Sequence, residues 1–416
     1  MNILLLSPYP PFPPHGGGTM RIYQLLRGLA AHHYVTCLTF APTAEAEAGL
    51  APLRDCCRVL AVRGPAPRSL ARRAWTTATS PLPDMALRNA SPAYAAALRR
   101  LLAEEQFDVV QAESIEMSSQ FTVVRTAVRS RNAARTRQHA QLILDQFNAE
   151  FVLQRRAFQT DVRAPRRWHA AAYSLAQWLK LAAYERRVMQ ACDAVLAVSE
   201  DDRKTLQRLA PAARIAVVPN GVDTAYFSRA ALGAGSAPPG GPALVFSGTL
   251  DFRPNIDAVL WFAREVLPLV RAHRPDARLR VVGRRPGPAL RGLASEAVEI
   301  VGEVPDARPH IAGAAVYVVP MRIGGGVRLK LLEALALEAP VVSTPMGAEG
   351  VAGLRDGEHC LLADTPSRFA AATLRLLDDP ALGRRLGAAG RALVQAGYDW
   401  SVIVPRLEAV YQELAG

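Results

Sequence analysis

Short apolar runs rich in Leu, Val and Ile recur along the chain, and most lead through a glycine or proline turn into residues spaced for an amphipathic helix. NILLLS, YVTCLTF, CRVLAV, DVVQAES, LILDQFNAE and CDAVLAV predict strands in the first half; LVFSG, ARLRVVG, VEIVG, Val316–Val319 and Pro340–Ser343 predict strands in the second. Runs this continuous suit strands covered on both faces, which in turn implies parallel sheets flanked by helices. The predicted class is α/β.

Val316 to Gly350 (VYVVPMRIGGGVRLKLLEALALEAPVVSTPMGAEG) organises the second half. Gly324, Gly325 and Gly326 allow a tight turn with close backbone approach, and a helix predicted from about Val327 would present unpaired N–H groups beside them. Helical spacing puts Leu329, Leu332, Glu333, Ala336 and Leu337 on one stripe, with Arg328 and Lys330 in the first turn. A carboxylate on an apolar stripe needs a polar partner, and cations are disfavoured at the positive end of a helix dipole unless an anion lies in front of them. The pattern points to a phosphate between loop and side chains; a plain helix start with solvated charges is the alternative.

Length and charge sharpen this picture. With 416 residues the chain can build two α/β domains. The first apolar run is only a strand long before prolines, so the expectation is a cytoplasmic protein. Cys37, Cys56, Cys57, Cys192 and Cys360 show no metal-binding spacing and read as buried free thiols. From Met1 to Arg214 there are 28 Lys+Arg against 17 Asp+Glu, a net +11; the remainder holds 21 against 20, a net +1. The basic character therefore belongs to the first half. From Arg155 to Met189 an aromatic stripe (Trp168, Tyr173, Trp178, Tyr184) reads as core rather than a membrane anchor.

PMRIGGGVRLKLLEALALEAPVVST, together with VVPNGVD, resembles glycosyltransferase family 4, retaining sugar-nucleotide-dependent enzymes of the GT-B fold: two Rossmann-like domains facing across a cleft. Many members carry two glutamates eight positions apart here; this chain keeps Glu333, and Gly325 stands at the first. The Gly-Gly-Gly-x-Arg-x-Lys run is similar to a subfamily of bacterial polysaccharide enzymes. The resemblance implies a nucleotide-sugar donor held by Gly324, Gly325, Gly326 and Glu333, with Arg253 and Asn255 after LVFSG and Val304 at the base. It implies that Gly17 and Gly18 approach the donor diphosphate, and that Asp145, Asn148 and Glu150 line the acceptor side, Phe147 replacing a histidine. Where the family often has His-x-His, this chain has Gln111-Ala112-Glu113, so Glu113 is the candidate catalytic substitute, beside a solvated-loop reading.

The expected organisation is an acceptor-side domain over 1–214, with a closing helix over 400–416 packing back on it, and a donor domain over 215–399. The expected activity is hexose transfer from a UDP- or GDP-linked sugar to a glycan or lipid-linked acceptor in bacterial envelope assembly. Arg328 and Lys330 would stabilise the leaving diphosphate without a metal; no cofactor beyond the sugar nucleotide and no nucleic acid are expected. The +11 half suggests peripheral contact with an anionic membrane through Arg125, Arg129, Arg131, Arg135 and Arg137 and through Arg155 to Arg167. The competing readings are a sugar-nucleotide epimerase of the same fold, for which the sparse histidines offer no set, and a non-catalytic scaffold.

Overall fold

The computed structural model describes residues 1–14, 16–65, 67–132, 140–162, 168–233, 243–324 and 326–415. Gly325, Arg135, Arg137, Arg163, Arg166 and Arg167 lie outside them, as do the side chains of Arg129 and Arg131. The chain forms two compact units, Met1–Pro219 with Val404–Gly416, and Asn220–Ile403.

Unit one holds strands β1 (Asn2–Ser7), β2 (Tyr34–Ala41), β3 (Arg58–Arg63), β4 (Val109–Glu113), β5 (Gln141–Gln146), β6 (Ala194–Ala197) and β7 (Ile215–Val217) in the order β3-β2-β1-β4-β5-β6-β7. All pairings are parallel. Unit two holds β8 (Ala243–Ser247), β9 (Arg278–Val282), β10 (Val298–Gly302), β11 (Val316–Val319), β12 (Val341–Ser343) and β13 (Leu361–Leu362) in the order β10-β9-β8-β11-β12-β13, again parallel. In each sheet the strand order reverses beside the first strand of the unit, at β1/β4 and at β8/β11. Crevices outside the carboxyl ends of such strands are where doubly wound sheets bind ligands.

The division falls at Pro219/Asn220 rather than at 214/215, because β7 pairs with β6 and Arg21 donates to the Pro219 carbonyl at 3.0 Å. The closing helix Trp400–Ala415 is likewise divided. Its first turn belongs to unit two, where Val222 N–H donates to Tyr398 O at 2.8 Å, and from Val404 it completes unit one. There Val404 lies against Gly28, whose missing side chain makes the room, and Tyr411 donates to Gln111 Oε1 at 2.7 Å. The cysteines are free; Cys37, Cys57 and Cys360 are buried, Cys56 is exposed and Cys192 half-buried, so the expectation of uniform burial is corrected.

Near the carboxyl end of β5 lies a buried ion pair. Arg21, on the inward face of helix Gly17–Ala30, donates to both Asp145 oxygens at 2.7 and 2.9 Å, with both side chains out of water. Glu113, in register with Asp145, is fully buried too and accepts from Gln111 at 2.8 Å. Burial, then the neighbouring Asp145, pushes the Glu113 carboxyl well above the usual range. Both carboxyl groups are fully buried, so Glu113 is not the solvated loop carboxylate of the alternative reading.

Asp145→Asn would strand the Arg21 charge in the core and should cost about 3–5 kcal/mol in urea unfolding. Glu113→Gln, which keeps an acceptor oxygen for Gln111 and removes the repulsion from Asp145, should change stability by under about 1 kcal/mol.

Candidate donor site

The second unit's site is assembled at the carboxyl ends of β8 to β11. Three of these strands run into a glycine with positive φ: Gly248 (150°), Gly283 (151°) and, as the last residue of β10, Gly302 (82°). Gly248 N–H donates to Val282 O at 3.0 Å and Gly283 N–H to Gly302 O at 2.7 Å, drawing the ends together. They approach so closely that a Cβ on Gly283 would collide with the Gly248 carbonyl oxygen. A Cβ on Gly248 would lie 2.8 Å from Lys330 Nζ and 2.9 Å from Asn255 Nδ2. The space a side chain would fill is occupied by the lysine instead.

Lys330 is the second residue of helix Leu329–Ala336. Its Nζ donates to Asn255 Oδ1 at 2.8 Å and stands 4.0 Å from the centre of the Phe246 ring. Asn255, buried in helix Arg253–Trp261, is oriented by its own Nδ2 donating to Thr249 O at 2.8 Å. Burial, reinforced by Arg328, lowers the Lys330 pKa to about 7 against the pull of Glu333; burial raises Glu333 to about 7 against the pull of Lys330. In this arrangement burial disfavours the charged form of each group, and an anion beside the lysine would favour the cation.

The helix starts at Leu329, two residues later than expected, because Arg328 is extended (φ −86°, ψ 103°) and occupies the N-cap. Gly324 (φ 134°) lets the Arg328 guanidinium fold over the loop: a Cβ there would lie 2.6 Å from a guanidinium nitrogen. Gly326 also has positive φ, at 71°. The helix is buried through Leu331, Leu332, Ala334, Leu335 and Ala336, whereas Leu329, Lys330 and Glu333 are half-buried. Glu333 is therefore not within the buried stripe, as expected, but one turn from Lys330 on the helix's least covered side.

Val304 follows β10 and packs half-buried on the unit-two core. Arg253 is exposed at the first position of its helix, two residues before Asn255. In unit one, Gly17 and Gly18 begin helix Gly17–Ala30, and Gly18 lies so close to the Tyr9 hydroxyl and the Phe147 ring that no Cβ fits. Asn148 donates to Glu150 Oε1 at 3.3 Å; both are half-buried, and burial raises Glu150 to about 7. The structure thus joins Lys330, Asn255 and Gly248 at one point and folds Arg328 on Gly324, while Glu113 and Asp145 go to the core. The sequence reading missed Gly248, Gly283, Phe246 and Tyr9. The recurring FSG, VVG and IVG endings were the signal for the glycines.

Two doubly wound parallel sheets, the second carrying cations and glycines at its switch point, define the GT-B class. Residues 15–226 match Glycosyltransferase Family 4 and residues 241–379 match Glycosyl transferases group 1, and the chain belongs to glycosyltransferase family 4. It is 35% identical over 210 residues to the phosphatidyl-myo-inositol mannosyltransferase of Mycobacterium tuberculosis, covering 48% of this chain and 54% of that protein. Over 187 residues it is 30% identical to the GDP-mannose-dependent monoacylated alpha-(1-6)-phosphatidylinositol monomannoside mannosyltransferase of Corynebacterium glutamicum, covering 41% and 47%. The chain thus spans about half the length of the curated relatives it matches. Sucrose-phosphate synthase from Thermosynechococcus elongatus shares the fold over 100% of this chain and 99% of its own, with a TM-score of 0.70 at 20% identity.

Gly283→Ala should destabilise the protein by about 1–3 kcal/mol or more, since the methyl group meets backbone and φ is unfavourable. Gly287→Ala, whose added Cβ would meet nothing within 4 Å, should be neutral or stabilising by up to about 1 kcal/mol; chemical denaturation of both separates site strain from a general glycine effect.

Proposed function

We propose that the chain is a retaining, metal-independent glycosyltransferase that moves a hexose from a nucleoside diphosphate sugar to a glycan or lipid-linked acceptor of the bacterial envelope. The observation that carries this reading is Lys330, withdrawn from water beside Gly248 and one turn from Glu333, with Arg328 at the head of the same helix. As the bond from the anomeric carbon to the diphosphate oxygen breaks, charge grows on the leaving group, and fixed cations with helix-end N–H groups stabilise it without reorganising. The acceptor hydroxyl attacks the anomeric carbon on the face the diphosphate leaves, its proton passing to the departing phosphate oxygen. Glu333 accepts hydrogen bonds from donor hydroxyls. The names of the mannosyltransferase relatives make GDP-mannose the first donor to test. A lipid-linked acceptor would place the enzyme at the cytoplasmic face of the membrane.

A panel of UDP- and GDP-sugars, followed by nucleotide release and product anomer, tests the reading. An inverted linkage would sink retention, conversion of donor without acceptor would indicate an epimerase, and silence across the panel a scaffold. Lys330→Ala and Arg328→Ala should each cost about 2 to 4 kcal/mol of barrier, or about 30- to 900-fold in turnover. Glu333→Gln should raise the dissociation constant of the donor; unchanged affinity would assign that carboxylate to structure.

Proton linkage gives a second test. Lys330, with its pKa lowered to about 7, is largely neutral at pH 8 in the free protein and becomes protonated beside a diphosphate. Nucleoside diphosphate binding at pH 8 should therefore take up close to about one proton, and affinity should fall as pH rises above 7. Calorimetry in two buffers of different ionisation enthalpy reads the uptake, which Lys330→Met should abolish. Identical enthalpies for the wild type would remove the lysine from the phosphate.

A further inference from the structure

Helix Leu70–Thr79 is mounted inside out. Its polar side faces the protein: Arg73 donates to the Tyr173 hydroxyl at 3.0 Å and pairs with Asp84 at 3.4 Å, and Thr77 accepts from Gln177 at 3.0 Å. Lys180 donates to the Ser80 carbonyl at 2.7 Å just beyond the helix end. No residue of the helix is buried. Leu70, Ala71, Ala74, Trp75 and Ala78, which span about 140° of its circumference by helical geometry, are exposed, Leu70 by 79% and Trp75 by 69%. A surface helix normally turns this arc inward, so the orientation calls for an apolar phase outside the protein.

The helix it packs against repeats the feature. Helix Trp168–Ala191 exposes Trp168 (74%), Ala172, Leu175, Leu179 (58%) and Ala183 at spacings of four, three, four and four, one continuous apolar stripe. The expectation that its aromatic residues form core holds for Tyr184 and fails for Trp168. Along the segments that carry the stripes the exposed charges are basic. No acidic residue occurs from Arg63 to Ser80, and the two acids between Phe151 and Arg187, Asp161 and Glu185, are buried, whereas Arg63, Arg72, Arg155, Arg186 and Arg187 are exposed.

We propose that helix Leu70–Thr79 lies in the interface of an anionic lipid bilayer, with Leu70 and Trp75 among the acyl chains and the flanking arginines at the headgroups. Among the described residues no helix is long and apolar enough to cross a membrane, so the contact is with one leaflet. A second copy of the chain is a poorer occupant, because a self-complementary interface would bring arginine against arginine. This surface differs from the Arg125–Arg137 segment singled out by charge alone, and its occupancy does not depend on the donor chemistry.

Co-sedimentation with vesicles of phosphatidylcholine, alone or with about one third phosphatidylglycerol, tests it. The wild type should partition onto the anionic vesicles and only weakly onto the neutral ones. The double variant Leu70→Ser/Trp75→Ser should lose at least about tenfold of that partitioning, since two exposed apolar side chains are removed. Its melting temperature should not change. Leu269→Ser, at an exposed position of unit two, should bind as the wild type does. Equal partitioning of wild type and double variant, or equal binding to both vesicle types, would overturn the proposal. So would light scattering showing a wild-type dimer that the double variant converts to monomer, which would give the face to a second copy.

Discussion

A half-buried lysine ammonium at the carboxyl edge of a parallel sheet is the constraint on which the second unit depends. Burying a cation costs several kcal/mol unless polar atoms and opposite charge surround it, and here the compensation is incomplete: one amide oxygen, one aromatic face and one carboxylate that burial itself opposes. Much of the local architecture follows from making room for that group. Gly248 leaves out a side chain where Nζ sits, Gly283 leaves one out so that Gly248 can occupy its place, and Thr249 fixes the Asn255 amide so that oxygen rather than nitrogen meets the lysine. Such an arrangement is costly in isolation and favourable with an anion in place, the usual condition of a preorganised site.

The unit-one network contrasts with it. Arg21 and Asp145 are more deeply buried, but the guanidinium and carboxylate satisfy each other at two points and the Pro219 carbonyl takes a third hydrogen bond. Both units use the same doubly wound topology, yet one closes its charge internally and the other leaves it open. The difference lies in side chains, since the backbone plan is shared.

How much of this the sequence disclosed depends on whether an interaction was local. Val316–Val319 was legible as a strand because an apolar run between turns has few other fates, and the glycine loop with Arg328 and Lys330 was legible because first-turn cations break a local electrostatic preference. Glu113 was misread because exposure at a strand end depends on what covers it, and the cover includes Tyr411, 298 positions further along the chain, bonded to its neighbour Gln111. Glu333 was placed on the buried stripe because heptad-like spacing cannot tell which flank of a helix surrounded on several sides stays uncovered. The inverted helix Leu70–Thr79 was invisible for a related reason: its amphipathic pattern is ordinary, and only its packing partners reveal which arc faces the protein.

The path of the closing helix has a consequence for the order of assembly. The second unit is a continuous segment, Asn220–Ile403, and every residue it needs has been synthesised before Val404 is added. Most of the first unit precedes the second but lacks its Val404 and Tyr411 contacts until the helix beyond Ile403 is made, leaving Gly28 uncovered and Gln111 Oε1 without the tyrosine donor. Domains commonly fold in the order of their synthesis. Here unit one is completed only after the whole of unit two has been translated.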